Sequence, residues 1–523
     1  MRRLGFATAL SLVAAAAALA DETPQRGGIL VYAVSGEPDT YDCHATTTQA
    51  ALHVLAPHYS TLLRIDPANY PHPAAGLARS WEVSGDGLVY TFRLAPNARF
   101  HDGTAAGAAD VKATFERIRN PPPGIVSARR ALFEDIAAID TQDPATVVFR
   151  LARANSSMLT DLSLPWNCIY SAARLAADPA SPAKSVMGSG PFRFVSHVAG
   201  SHWEGQRFDQ YFEEGKPYLD GFRAQFITGA PMVNAMQGGA IMAEFRGVAP
   251  GERNRLKDAL GDRIRVEEGP WVCATQLFFN VRRKPFDDAR VRRALSLAID
   301  RKKAADELSK IAIVKYVGGV LRPGDGNAAT DEELARLPGF GGDMAARRAE
   351  AKRLLEAAGV ERLQFKLLNR ATPMPYTPVA LFLIDQWRQI GVAADHAPAE
   401  VKVQKASFAA NTFEVGLDGV CEDVDDPNIQ LMQFVSTDRS ARSRGGFVDR
   451  TLDTLYDRQK SATGEAERRQ IIREFETRVF AEANTVPVIW WNRIVAHSSR
   501  MHGWHMTPST FVGQDHASVW LAP

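Results

Sequence analysis

The chain lacks the short signatures that most directly announce chemistry. It has no CxxC pair, no GxSxG elbow and no HExxH run, which leaves zinc, redox and serine-nucleophile readings without a local motif. Its 523 residues contain only four cysteines, Cys43, Cys168, Cys273 and Cys421, all far apart. They are either small buried thiols or disulfides in one of three pairings. Charge of one sign is also missing: the formal net charge is +1, with Lys and Arg spread along the chain. No basic field invites nucleic acid or an anionic membrane surface. After the amino terminus, no stretch approaches the roughly 20 apolar residues of a membrane span.

What is present begins with an export signal. Arg2 and Arg3 precede a short Ala-rich apolar run, and Ala18 and Ala20 flank a cut before Asp21, the pattern of a secretory leader over residues 1–20. No Cys follows the cut, so a lipid anchor at that residue is unavailable, and the expectation is a free periplasmic protein. The remaining chain is globular in composition, 45% hydrophobic and 23% charged, and too long for a single core. Two large lobes are expected, with no linker between them, so the chain crosses more than once.

Periodicity supplies the elements. Ile29 to Val34 reads as a strand running into a Gly-Glu-Pro-Asp turn at Glu37 whose backbone amides are free. "SWEVSGDGLVYTFRLAP" reads as a hairpin turning at Gly85-Asp86-Gly87. Val111, Phe115 and Ile118 make the apolar stripe of a helix, and Val291, Leu295 and Ile299 that of another within "KPFDDARVRRALSLAIDRKKA". "DMAARRAEAKRLLEAAG" is a helix stopping at Gly359. "LQFKLLN", a helix from Thr377-Pro378 to Gly391, and "VAADHA" form a βαβ crossover, which implies parallel strands and a ligand beyond their carboxyl ends. "ERRQIIREFETRVFAEAN" is a helix and "TVPVIWWNRIVAHS" a strand.

Within "LDGVCEDVDDPN", Asp418, Glu422, Asp423, Asp425 and Asp426 crowd the end of the apolar run "FEVGLDGV". They do not make a calcium loop: Pro427 takes the third ligand position, no Gly sits sixth, and Phe434 stands where a bidentate Glu belongs. His502 and His505 lack acidic or Cys companions, so no metal site is expected. Ser189 in "GSGPF" has no nucleophile surroundings and reads as a tight turn able to offer amides to a ligand. Trp166, Trp271, Trp490 and Trp491 lie in or beside extended apolar segments, where they pack a core or wall a pocket.

In order along the chain, "GGILVYAVSGEPDTYD", "SWEVSGDGLVYTFRLAPNARFHDGTAAGAADVKATFERI", "GSGPFRF", "KPYLDGF", "LFFNVRRKPFDDARVRRALSLAIDR" and "QWRQIGV" resemble the extracellular solute-binding proteins of the peptide and nickel class, which serve ABC importers. The resemblance implies an α/β two-lobed periplasmic-binding-protein clamshell with mixed sheets, of the large class with an extra subdomain in the first lobe. Lobe one would hold residues 21–270 and 490–523 and lobe two residues 271–489, crossing near "WVCATQ" and "VIWWN". It further implies a monomer that binds a small-molecule or peptide ligand without a cofactor, closes on it and docks on an inner-membrane ABC permease.

In dipeptide-binding relatives an Asp three residues before Asp-Pro receives the ligand's ammonium group, which points to Asp423 here and to a peptide-like or other cationic solute. Those relatives also place an Arg before Pro-Tyr for the ligand carboxylate; here Met374 precedes Pro375-Tyr376, and Arg370 is the possible substitute. The expected ligand-contacting set is Glu37, Trp166, Ser189, Trp271, Cys273, Arg370, Met374, Cys421, Glu422, Asp423 and Trp490. The alternatives are a receptor for an opine, sugar or nickel chelate, an exported hydrolase on the same fold, and a sensor.

Overall fold

The structure is a computed structural model that describes residues 23–372, 374–440 and 442–523; the expected leader lies outside them. Two long strands organise it. Ile264–Phe279 and Thr485–Ser498 pair antiparallel along most of their length, and Trp271 through Phe279 are buried without a break. Continuous burial of this kind requires cover on both faces of a sheet.

From this pair the eleven-stranded sheet extends in two directions. On one side come Val415–Cys421, Gln364–Arg370 and Ala393–Ala399, the last two parallel and joined by helix Tyr376–Arg388. That is the βαβ unit expected from the sequence. On the other side come Ala243–Glu244, Ile29–Val34, Gly221–Phe226, His202–Arg207 and Phe192–Val198. A separate four-stranded sheet holds the predicted hairpin, Ala78–Val83 with Val89–Leu94, and packs under helix Ala108–Arg119 around Phe92, Phe115 and Phe149. The architecture is α/β and two-lobed, with this extra sheet as an additional layer.

One reading changes and one open alternative is resolved. Of the stripe, Val291 and Leu295 lie in helix Ala289–Leu297 while Ile299 falls in the break before a second helix, Arg301–Leu308, which Asp300 caps by accepting from the Lys303 amide at 3.0 Å. An acceptor placed at this point frees the chain to leave one helix and begin another. All four cysteines are oxidised, Cys43 with Cys168 and Cys273 with Cys421. The second pair follows from register: Cys273 and Cys421 stand directly opposite on adjacent strands.

One cluster joins distant parts of the chain. Leu52, Ala56, Ile65, Leu164, Trp166 and Val512 enclose Val424 and Ile429. Val424 is fully buried there, worth about 1.5–3 kcal/mol for a side chain of its kind. The acidic stretch is thereby docked against the amino-terminal half of the protein.

Candidate functional site

Strand Val415–Cys421 delivers the acidic stretch at its carboxyl end. Each of the five acids then meets an arginine. Asp418, inside the strand and fully buried, accepts from Arg370 Nε and from Arg444 Nη1, both at 2.7 Å. Glu422 pairs with Arg442. Asp423 pairs with Arg129 at 3.3 Å, and Asp425 with Arg322 Nε at 2.6 Å. Asp426 accepts from Ser157 Oγ at 2.7 Å and lies 4.0 Å from Arg468. A buried carboxylate needs such partners, because an unpaired charge removed from water is far costlier than a neutral group.

The acids are not equivalent. Burial pushes the Glu422 carboxyl up to about 7 despite the opposing pull of Arg442. It pushes Asp425 up to about 6 against Arg322. Asp423 is the open member of the group, with 23% of its side chain exposed.

Arg129 brings a second partner to Asp423. Its guanidinium lies 4.1 Å over the Trp166 ring and donates to the Thr46 carbonyl at 2.9 Å. Burial lowers the affinity of this guanidinium for its proton while Asp423 opposes that shift. Trp166 Nε1 is itself buried with no hydrogen-bond partner among the described residues, and so is Glu422 Oε1. Native proteins rarely leave such atoms unmatched.

Beside this group stands an aromatic wall. Trp271 and Trp491 meet edge to face at 5.6 Å, and Tyr376 lies 6.0 Å from Trp491. Gly419 runs beneath them. A β-carbon there would come within 2.6 Å of Trp491 Cζ2 and 2.8 Å of Tyr376 Oη, so only glycine admits this approach. Arg246 sits over Trp271 at 5.6 Å, exposed, with no carboxylate within ion-pair distance among the described residues.

The expected set is thus partly assembled. Trp271, Cys273, Arg370, Cys421, Glu422 and Asp423 lie on the strands and loop just described, and Trp166, in the turn after helix Met158–Leu162, joins them through Arg129. Trp490 does not face the wall: its Nε1 donates to the Gly319 carbonyl at 3.2 Å, while Trp491 takes the position beside Trp271. Neighbouring strand residues point to opposite faces, which accounts for the exchange. Met374 packs against the large core. Glu37 is engaged by His197 at 3.1 Å and the Gly200 amide at 2.7 Å. Ser189 is buried, and its carbonyl accepts from Ser60 Oγ at 2.8 Å. Sequence reasoning raised Trp491 beside Trp490 as a possible wall but kept only Trp490 in the expected set, and it missed Arg129, Arg246, Arg442, Arg444 and Tyr376. Only Tyr376, next to the substituted Met374 position, carried a local signal.

A two-lobed α/β architecture with mixed sheets is that of the periplasmic binding proteins. Residues 72–442 match "Bacterial extracellular solute-binding proteins, family 5 Middle", and the chain belongs to that family. Among curated relatives, glutathione-binding protein GsiB of Pectobacterium atrosepticum is 25% identical over 457 residues, 85% of either chain. GsiB of Salmonella typhimurium is 25% identical over 498 residues, 92% of either chain. Among solved structures, the substrate-binding protein CtaP of Listeria monocytogenes superposes with a TM-score of 0.81 at 22% identity, covering 95% of this chain and 100% of that one. The fold is shared as well with DppA of Helicobacter pylori in complex with peptide STSA, TM-score 0.78 at 21% identity, covering 95% and 99%. No helix among the described residues is long and apolar enough to cross a membrane.

Proposed function

We propose that this chain is the exported, periplasmic receptor of an ABC importer, and that it captures without turnover a peptide-like solute bearing both an ammonium and a carboxylate. Lobe one is taken as residues 21–270 and 490–523, lobe two as 271–489, with Trp271 and Trp491 at the crossings. The receptor is read as a monomer that presents its closed form to a permease.

The observation that carries this reading is the Arg129–Asp423 pair, which on that division joins one lobe to the other. A purely cationic solute would take Asp423 and strand the buried Arg129 guanidinium. A solute with an ammonium next to a carboxylate replaces both partners at once, so no buried charge is abandoned. The sequence expectation of a cationic solute is thereby narrowed to a zwitterionic one. Its ammonium is assigned to Asp423, its carboxylate to Arg129, and its side chain to the Trp271–Trp491–Tyr376 wall.

The test is calorimetric titration of ligand-free protein with glutathione and with dipeptides, free or blocked at either end. Glutathione heads the panel because the GsiB relatives bind it. Binding that requires both free ends supports the reading; equal affinity for a simple amine sinks it. A second reading, a carboxylate-rich solute of the opine kind, is favoured by the unpaired guanidinium of Arg246. In that case blocking the amine leaves affinity intact.

A further inference from the structure

The Arg129–Asp423 pair has a second arginine beside it whose donors the protein leaves largely unused. Arg442 donates through Nη2 to Glu422, and its side chain makes no other hydrogen bond among the described residues. A guanidinium carries five N–H donors in a planar fork, so most of this one is open. The Arg442 side chain is 38% exposed against 3% for Glu422. It is the open member of its pair, as Asp423 is of the pair with Arg129.

The two pairs are close enough to act on one another. The Asp423 carboxylate favours the charged form of Arg442 and opposes ionisation of Glu422, while the charge of Arg442 weakens proton binding by Arg129. The four groups therefore form one charge cluster. Within it Glu422 is poorly built to stay ionised: it is buried, and its Oε1 has no hydrogen-bond partner among the described residues. A desolvated carboxyl with half its acceptors unmet favours the neutral form, which accords with a group pushed up to about 7. With Glu422 neutral, two guanidinium ions face the single carboxylate of Asp423. A solute with one ammonium and one carboxylate exchanges with the Arg129–Asp423 pair and leaves the cation of Arg442 unanswered. A second carboxylate answers it, in the two-pronged geometry that a guanidinium favours.

We infer, resting on the proposed function above, that Arg442 is a specificity-determining residue of this site: it receives a second carboxylate, so the solute is an acidic zwitterion with one ammonium and two carboxylates. The charged groups facing Glu422 are Arg442 and Asp423. An anion arriving on Arg442 draws on the same guanidinium that Glu422 uses and adds repulsion, so the Glu422 carboxyl takes one proton from solution as the solute binds. Capture is thereby coupled to proton uptake, and affinity falls as pH rises.

Calorimetric titration of the ligand-free protein tests this with glutathione, which carries one ammonium and two carboxylates, and with glutathione amidated at its glycyl carboxyl. Alanyl-alanine, with one carboxylate, is the control for the site itself. Wild type is expected to bind glutathione at least about tenfold more tightly than the amide. Arg442→Gln should bind both alike at the weaker level, and Arg442→Lys should keep part of the difference. Titrations at pH 7 in two buffers of different ionisation heat should show about half a proton taken up per glutathione by wild type, the fraction of Glu422 still ionised there. Glu422→Gln should take up none, a change that altered packing alone would not produce. Equal affinity of wild type for glutathione and its amide overturns the inference whether or not the variants fold, and so does a preference undiminished in Arg442→Gln. Equal binding of the two glutathione forms alongside alanyl-alanine removes only the role of Arg442 and leaves the zwitterion reading standing, whereas binding of no probe removes both.

Discussion

Arg129 and Asp423, 294 residues apart in the chain, meet at 3.3 Å while the Arg129 guanidinium sits over the Trp166 ring at 4.1 Å. The pair occupies the place where the resemblance alone put a ligand's cation. On the proposed function it is an internal stand-in for the charges of a bound solute, so removing either half should cost affinity.

Asp423→Ala and Arg129→Ala are each expected to weaken a zwitterionic peptide at least about tenfold, or about 1.4 kcal/mol. The double variant should lose less than the sum, because each single variant leaves one charge buried without a partner. Calorimetry on the four proteins reads this directly; strictly additive losses would show that the two groups do not serve one ligand.

Converting Cys273 and Cys421 together to alanine opens a bridge that closes 148 residues of chain. The expected loss is about 2–4 kcal/mol of unfolding free energy, through a less constrained unfolded chain. Urea denaturation of the oxidised wild type and the double variant measures it, and coincident transitions would contradict it.

Glu422 gives stability a pH dependence of known sign. Its folded carboxyl holds a proton up to about 7, against 4.5 for the ordinary group, so the folded state binds the extra proton between those values. The contribution is complete below 4.5 and is lost as pH rises through about 7, by about 3 kcal/mol at most. Glu422→Gln cannot titrate. The stability of wild type minus variant should therefore fall between denaturation curves taken below 4.5 and above 7; a rising difference would reverse the assignment.

Arg246→Ala tests the exposed guanidinium over Trp271. Stability should change by under about 0.5 kcal/mol, as for other surface positions. Association with a carboxylate-bearing solute should slow, and the slowing should fade as salt screens the charge. Stopped-flow rates at two ionic strengths decide it: equal rates for the two proteins at low salt would remove Arg246 from the approach path.

The elements were legible where one period governs a long run. Ile29–Val34, the hairpin around Asp86 and the crossover from Gln364 to Ala399 follow from alternation, turn residues and helical stripes alone. The break at Asp300 was not, because the stripe continues through it and only the side-chain cap shows that the helix has ended. The acids of 418–426 were visible as a cluster, whereas Arg129, Arg322, Arg442 and Arg444 looked like any other surface charges. Their pairing is made by tertiary packing, which leaves no local pattern. Trp490 and Trp491 illustrate the same limit at one-residue scale: the strand makes them face opposite ways, and nothing within it says which face meets Trp271.

The two long strands have a mechanical consequence. Their ladder is continuous from Ile264 to Pro270, is interrupted at Trp271, Val272 and Cys273 opposite Trp491, and shifts register once more between Thr275 and Gln276. On the proposed division into lobes these strands are the joint, and a joint made from two paired strands would act as a leaf spring rather than a pin, bending at the interruptions and resisting twist through the ladders beside them. The Cys273–Cys421 bridge stands at one end of the first interruption, and Trp491 packs against Trp271 beside it. On the proposed division into lobes, closure would alter the packing of Trp271, Tyr376 and Gly419 around the Trp491 indole, so its fluorescence is expected to report the angle between the lobes.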